Sequence, residues 1–208
     1  MNLVLEIKVV QVGVLATNCY ILSEGSECVV VDPGGEGGKI ISALDDSSLE
    51  PHTVISTHAH ADHTGAVAAL IDRFDCNFAI GKGDEVSVNE QMSWLKSMLG
   101  DFVDPPSPTK ILNDGDKISV GDAEIMVIAT PGHTPGSISL RVDGHVLTGD
   151  TLFRETIGRF DLSGGDEAQE IASIREKLLT LPPDTVVLPG HGQNSTVAHE
   201  LEHNMFIR

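Results

Sequence analysis

Thr57-His58-Ala59-His60-Ala61-Asp62-His63 places three histidines and an aspartate within seven residues. Residues two apart in extended backbone point the same way, so His58 and His60 can turn both imidazoles onto one cation. Asp62 and His63 follow where the chain turns into a helix, and they can face a second point nearby. Asp62 can equally cap that helix by accepting from its orphan N–H groups. Downstream, His133 stands in Pro131-Gly132-His133-Thr134-Pro135 and His191 in Pro189-Gly190-His191-Gly192, while Asp150 ends Leu147-Thr148-Gly149-Asp150. Taken singly, each fits a turn. Together they lie just past strand ends, where loops gather function on a rigid scaffold. Two cations about 3.5–4 Å apart need bridging oxygens. Asp150 can supply one oxygen to each. The seven residues therefore predict a centre for two divalent metal ions. Histidine and carboxylate donors suit zinc first, with iron or manganese as alternatives.

A second stretch, His199-Glu200-Leu201-Glu202-His203, has the H-E-x-x-H spacing of a zinc-binding helix. Only five residues follow His203, so no downstream third ligand is available. The stretch reads as a solvated terminal helix, and His52 and His145 read as surface residues. Gly34-Gly35 and Gly37-Gly38 have neither the lysine nor the spacing of a phosphate-binding loop.

The elements that must position the seven residues follow from periodicity. Residues 3–12 and 19–31 alternate or run apolar and turn at Gly25-Ser26, which predicts a hairpin. A short helix is expected over 38–46, a buried strand over Thr53–Thr57, a helix over Gly65–Asp75 and a strand over Phe78–Ile80. A helix over 89–99 would carry Trp94, Leu95, Met98 and Leu99. Three prolines make Gly100–Thr109 a loop. Strands are expected at 117–120 and 123–129. A hairpin follows through Ser137–Val142 and His145–Thr148, turning at Asp143-Gly144. A helix at 166–179 precedes a strand at Val186–Leu188, and the tail from Ser195 to His203 is helical. Both halves run from hairpins through a strand-and-loop site towards helices. Two facing sheets with helices outside would bury these faces.

The bounds agree. The 208 residues suit one domain spanning 1–208. No stretch approaches the roughly 20 apolar residues that cross a bilayer, and the N-terminus does not read as a signal peptide. A cytoplasmic protein without membrane partners is expected. The three cysteines, Cys19, Cys28 and Cys76, follow no metal spacing and read as buried thiols. Thirteen Lys and Arg against 31 Asp and Glu give a net charge of -18. No basic patch relieves it, which argues against nucleic acid as a partner. No pattern specifies an interface between copies.

With the motifs laid out, the chain resembles the metallo-β-lactamase superfamily. The resemblance rests on Thr57–His63, Pro131–Ser137, Thr148-Gly149-Asp150 and Pro189–Gly192, in the family order. It implies an α/β fold, the four-layer αββα sandwich, with metals in the cleft at one edge of the sheets. It implies that His58, His60 and His133 hold one metal and Asp62, His63 and His191 the other, bridged by Asp150 and a hydroxide. Asp62, His63 and Asp150 are then catalytic as well as ligating.

Within the superfamily, Thr17–Tyr20, Asp32–Gly35, Gly158–Asp161 and Gly164–Asp166 look most like the glyoxalase II-type hydrolases, in a short form without the C-terminal glutathione-binding region. Asp32 would support the site from behind, or merely close a turn. This branch implies hydrolysis of a small thioester, with a glutathione conjugate such as S-lactoylglutathione as the candidate. A thiolate leaving group needs little protonation, which suits a site with no separate general acid. Arg154 and Arg159 are candidates to orient a substrate carboxylate, although Arg159 has Asp161 at hand as an ion-pair partner. The rival implied by resemblance is a persulfide dioxygenase with one iron on His58, His133 and Asp150. Lactonase or other ester hydrolysis is the further alternative.

Overall fold

The computed structural model describes residues 5–87, 96–97 and 102–208. Strands β1 (Glu6–Val12), β2 (Thr17–Glu24) and β3 (Glu27–Val31) form an antiparallel meander. Helix α1 (Gly37–Asp45) then crosses over to β4 (Glu50–Ser56), parallel to β3. The short α2 (Ala61–Thr64) and α3 (Val67–Phe74) lead to β5 (Asn77–Gly81). Strand β6 (Lys110–Leu112) closes a sheet ordered β1-β2-β3-β4-β5-β6.

The second sheet opens with β7 (Lys117–Val120), β8 (Ala123–Ala129), β9 (Ile138–Val142) and β10 (His145–Gly149), all antiparallel. A two-stranded ribbon follows, β11 (Leu152–Phe153) and β12 (Thr156–Ile157). Helix α4 (Glu167–Ser173) continues as a wider π-type turn over Ile174–Leu178. Strand β13 (Val186–Pro189) returns parallel to β10, β14 (Ser195–Thr196) pairs with it, and α5 (Val197–His203) ends the fold. The sheet order is β14-β13-β10-β9-β8-β7.

The alternation of side chains sorts these elements into layers. In β2, Cys19 and Ile21 face α1 and α3, where Ile40, Leu44, Val67 and Leu70 are buried, while Tyr20 and Leu22 face the other sheet. In β10 and β13, Leu147 and Leu188 point to the inter-sheet core, and Val146 and Val187 point to Ile174, Leu178 and Val197. Strands buried on both faces must be apolar at every position, which is why they read as continuous runs. The result is the expected αββα sandwich. The helix expected at 89–99 lies largely outside the described residues. The structure adds β6 and the β11–β12 ribbon, and it divides the helix expected at Gly65–Asp75, starting its first turn at Ala61. No helix among the described residues is long and apolar enough to cross a membrane.

Candidate metal centre

Strand β4 ends at Ser56, and the residues after it turn into the cleft. His60 precedes α2 with extended backbone, and Asp62 and His63 lie in that helix, so one short segment presents four donors. The N-cap position of α2 belongs to His60, not to Asp62. Asp62 Oδ2 lies 3.2 Å from His191 Nε2. The loop after β8 brings His133, the end of β10 brings Asp150, and the turn after β13 brings His191. Three groups of donors result: His58, His60 and His133; Asp62, His63 and His191; and His58, His63 and Asp150. In each, the ligand atoms lie within 4.8 Å of one another.

Hydrogen bonds made behind the imidazoles decide which nitrogens face inward. His133 Nδ1 donates to the Arg159 carbonyl at 2.7 Å, and His191 Nδ1 donates to the Leu15 carbonyl at 3.1 Å. Thr57 Oγ1 donates to Asp32 Oδ2 at 2.9 Å and accepts from His58 Nδ1 at 3.1 Å. His63 Nδ1 sits 3.0 Å from the same Asp32 oxygen, within ion-pair range but off the line of a hydrogen bond. Protons held on these Nδ1 atoms leave the Nε2 lone pairs turned into the cleft. His60 faces it through Nδ1, 2.9 Å from His133 Nε2. His58 Nε2 is buried without any partner.

Lone pairs and carboxylates facing each other repel unless positive charge lies between them. His63 Nε2 is 3.2 Å from His191 Nε2 and 3.3 Å from Asp150 Oδ1. His191 Nε2 is 3.5 Å from Asp150 Oδ2. Proton affinities report the same demand. Burial disfavours charge on His63, yet Asp150, Asp32 and Asp62 outweigh it and raise its pKa. Burial likewise opposes charge on His191, and the bond to Asp62 with the charge of Asp150 raises it. Burial would raise both carboxyls, but His63 and the neighbouring histidines draw Asp62 and Asp150 below the ordinary range. At the other group, burial and then His133 lower His60 to about 4, and burial with the surrounding imidazoles holds His58 well down. Neutral His58 and His60 on one side, and ionised Asp62 and Asp150 drawing positive charge onto His63 and His191 on the other, make a buried donor set that one or two divalent cations fit.

The two sheets meet at this point. Asn18 N donates to the Gly190 carbonyl at 2.7 Å, Asn18 Nδ2 to the Pro189 and Gly192 carbonyls, and the Tyr20 hydroxyl to Pro189. A Cβ on Gly190 would lie 2.4 Å from Asp150 Oδ1 and 2.6 Å from His63 Cε1, so only glycine admits this approach. The sequence pattern pointed to the seven residues that lie together here, and it left Asp32, which also accepts from Thr57 N at 2.7 Å, open between a support and a turn residue. It passed over the carbonyls of Leu15 and Arg159, because backbone acceptors leave no trace in residue type. It also passed over Asp84, which is fully buried near the site.

Outside the cluster, Arg159 pairs with Asp161 through two bonds of 2.9 and 3.0 Å, as its neighbour suggested. Phe153 brings its ring to 6.3 Å from that of His191, and Arg154 Nη1 reaches the Asn194 carbonyl. His199 and His203 stack at 4.3 Å, and His199 Nε2 binds Glu155 Oε1 at 2.8 Å. They join no set of three metal donors among the described residues. Glu200 between them is buried, accepting from Glu155 N, Asn204 Nδ2 and Ser195 Oγ. Neither His52 nor His145 is idle: His52 Nε2 meets the Ser119 carbonyl and His145 Nδ1 the Asp143 carbonyl. All three cysteines are buried free thiols.

Comparison with known proteins agrees with this geometry. The family model for the metallo-beta-lactamase superfamily matches residues 12–191. The chain is 36% identical over 199 residues to the probable metallo-hydrolase YqgX of Bacillus subtilis, covering 94% of each. It is 29% identical over 208 residues to the hydroxyacylglutathione hydrolase GloC of Haemophilus influenzae, covering 98% of each. Among solved structures, BLEG-1 B3 metallo-beta-lactamase superposes with a TM-score of 0.88 at 32% identity, covering 97% of this chain and 99% of that one. TTHA1623 in a di-iron-bound form superposes at 0.86 and 33% identity, covering 96% and 99%. The order of the motifs, the sandwich and the clustered donors all meet in one assignment: the chain belongs to the metallo-β-lactamase superfamily.

Proposed function

We propose that the chain is a metal-dependent hydrolase that cleaves a small thioester, a glutathione conjugate such as S-lactoylglutathione being the first candidate. The observation that carries this reading is the convergence of His58, His60 and His133 on one side and Asp62, His63 and His191 on the other, with Asp150 between them. Two divalent cations held there, zinc first and iron or manganese next, would activate water at neutral pH and polarise a scissile carbonyl.

The chain's own residues supply the rest. Asp62 and Asp150 provide the negative charge that retains the cations. The bonds to Leu15, Arg159 and Thr57 hold three imidazoles in the ligating tautomer, and the charge of Asp32 beside His63 Nδ1 favours the proton there. Asp62 is engaged by His191 at 3.2 Å, so it acts as a donor rather than a free base. Phe153 and Arg154 lie on the ribbon beside His191, where they can meet the part of the substrate that does not react. A thiolate departs without a proton, so the centre works without a dedicated acid.

The likeness to GloC supports the glutathione thioester, and the likeness to the di-iron-bound TTHA1623 supports a two-metal centre. The likeness to BLEG-1 favours a second reading, amide hydrolysis of a β-lactam. The test is metal analysis of protein purified without added metal, paired with turnover of S-lactoylglutathione and of a chromogenic cephalosporin. Near two metals per chain with thioester turnover is the expected result. Cephalosporin turnover alone transfers the assignment to β-lactam hydrolysis. One iron, no hydrolysis, and oxygen uptake with glutathione persulfide transfer it to the dioxygenase.

A further inference from the structure

The turn after β5 carries Asp84 into the interior, where it is fully buried. Its Oδ2 accepts from Ala59 N at 2.7 Å and from Thr134 Oγ1 at 2.7 Å. Its Oδ1 accepts from Gly136 N at 2.7 Å. Ala59 stands between His58 and His60, and Thr134 follows His133. One carboxylate therefore grips both backbone segments that present the first donor group. The segments come from different sheets, one leaving β4 and the other linking β8 to β9. A second link, Ile138 N to the Thr57 carbonyl at 2.9 Å, ties the same segments further from the donors.

The contacts are built for a carboxylate. Backbone amides only donate, and ionised acceptors make the shorter and stronger bonds. Gly136 permits the approach, since a Cβ there would lie 2.4 Å from Asp84 N and 2.7 Å from Asp84 Cβ. Thr134 is held in turn by Ser137, whose Oγ lies 2.7 Å from Thr134 Oγ1 and accepts from Thr134 N at 3.1 Å. His60 Nδ1 and His133 Nε2 end 2.9 Å apart, a spacing that a movement of either segment would change.

We propose that Asp84 is the positioning residue of the first donor group: its carboxylate sets the separation of His58 and His60 from His133 and so fixes that group's affinity for a divalent cation, leaving Asp62, His63 and His191 undisturbed. The proposal rests on the reading that these donors hold metal. It gives a role to an aspartate that, in Gly83-Asp84-Glu85, has the sequence surroundings of a solvated turn.

The test is titration of cobalt(II) into the metal-free full chain, read by visible absorption and equilibrium dialysis, with thermal melts alongside. Wild type should take up two ions. Asp84→Asn should hold one with unchanged affinity and bind the other about 10- to 100-fold more weakly, the usual effect of removing a partner behind a ligand. In a His191→Ala background, which leaves the first group intact, Asp84→Asn should weaken the remaining ion to the same degree. Thr134→Val should shift affinity in the same direction, and Thr134→Ser should restore it. Parallel weakening of both ions, or none, overturns the proposal. If Asp84→Asn gives no folded protein, the Thr134 pair decides, and equal affinities for valine and serine overturn it. Wild type that binds no cobalt(II) defeats the metal reading itself, a result distinct from failure of the Asp84 assignment.

Discussion

Asp32 Oδ2 lies 3.0 Å from His63 Nδ1, and the same oxygen receives Thr57 Oγ1 at 2.9 Å. Through Thr57 it also governs His58, whose Nδ1 is 3.1 Å from that hydroxyl. One buried carboxylate thus directs an imidazole in each of the two donor groups. Asp32 has φ +53°, a conformation that asparagine tolerates. Asp32→Asn should therefore preserve the fold while weakening binding of both ions, each by about 10- to 100-fold. Metal content after dialysis against a weak chelator checks this; full retention of both ions would remove Asp32 from the account.

The two donor groups should be separable. His60→Ala and His191→Ala each remove one donor from one group only. Each variant should retain about one ion by elemental analysis and lose thioester turnover by about 10²-fold or more, the scale of losing one electrostatic contact to a developing oxyanion. A His60→Ala protein with undiminished turnover would exclude that group from the reaction.

Stripping the metal should lower stability, because the ligand atoms are left to repel one another. Binding that favours the folded state contributes about 2.7 kcal/mol at a free ion concentration a hundred times Kd. Chelation should lower Tm by several degrees, and zinc should restore it. An unchanged Tm in calorimetry of chelated and reloaded protein would contradict the geometry.

Glu170 on α4 is fully buried, and neither of its carboxyl oxygens has a hydrogen-bond partner. Burial, and then the charge of Asp150, pushes its pKa from 4.5 up to about 8. Between those values the unfolded chain has lost a proton that the folded chain keeps. Stability from this group is full below the unfolded pKa and falls as pH rises towards 8, by at most about 1.4 kcal/mol per pH unit. Urea melts across this range should show a wild-type decline that Glu170→Gln flattens. Identical slopes would mean that Glu170 is ionised in the fold.

His199-Glu200-Leu201-Glu202-His203 should prove structural. Glu200→Ala strands three donors, Glu155 N, Asn204 Nδ2 and Ser195 Oγ. It should destabilise by about 1–3 kcal/mol for each donor that water cannot reach. His203→Ala should change neither metal content nor turnover. Loss of an ion in His203→Ala would reinstate the segment as a metal site.

Most of the centre was legible because metal donors are few in kind and their spacing is local. His58 and His60 follow the two-residue period of extended chain, and Asp62 and His63 follow at a turn into helix. The strands were legible because burial on both faces leaves Val29-Val30-Val31 and Val186-Val187-Leu188 no polar positions. The short β11–β12 ribbon was not, since two-residue strands have no period to detect.

Asp84 and Glu200 show the opposite case. Each is an acidic residue in a polar stretch, and nothing beside it in the chain distinguishes it from a solvated carboxylate. Burial distinguishes them, and burial is a property of what packs from afar: Thr134 and Gly136 come to Asp84 from the other sheet, and Glu155 comes to Glu200 across 45 residues. The sequence by itself determined which side chains are candidate cation donors and which strands must be covered on both sides. Tertiary structure alone decided which nitrogen of His191, His133 and His63 faces inward, because that choice is made by the Leu15 and Arg159 carbonyls and by the charge of Asp32, groups that lie far from these histidines along the chain.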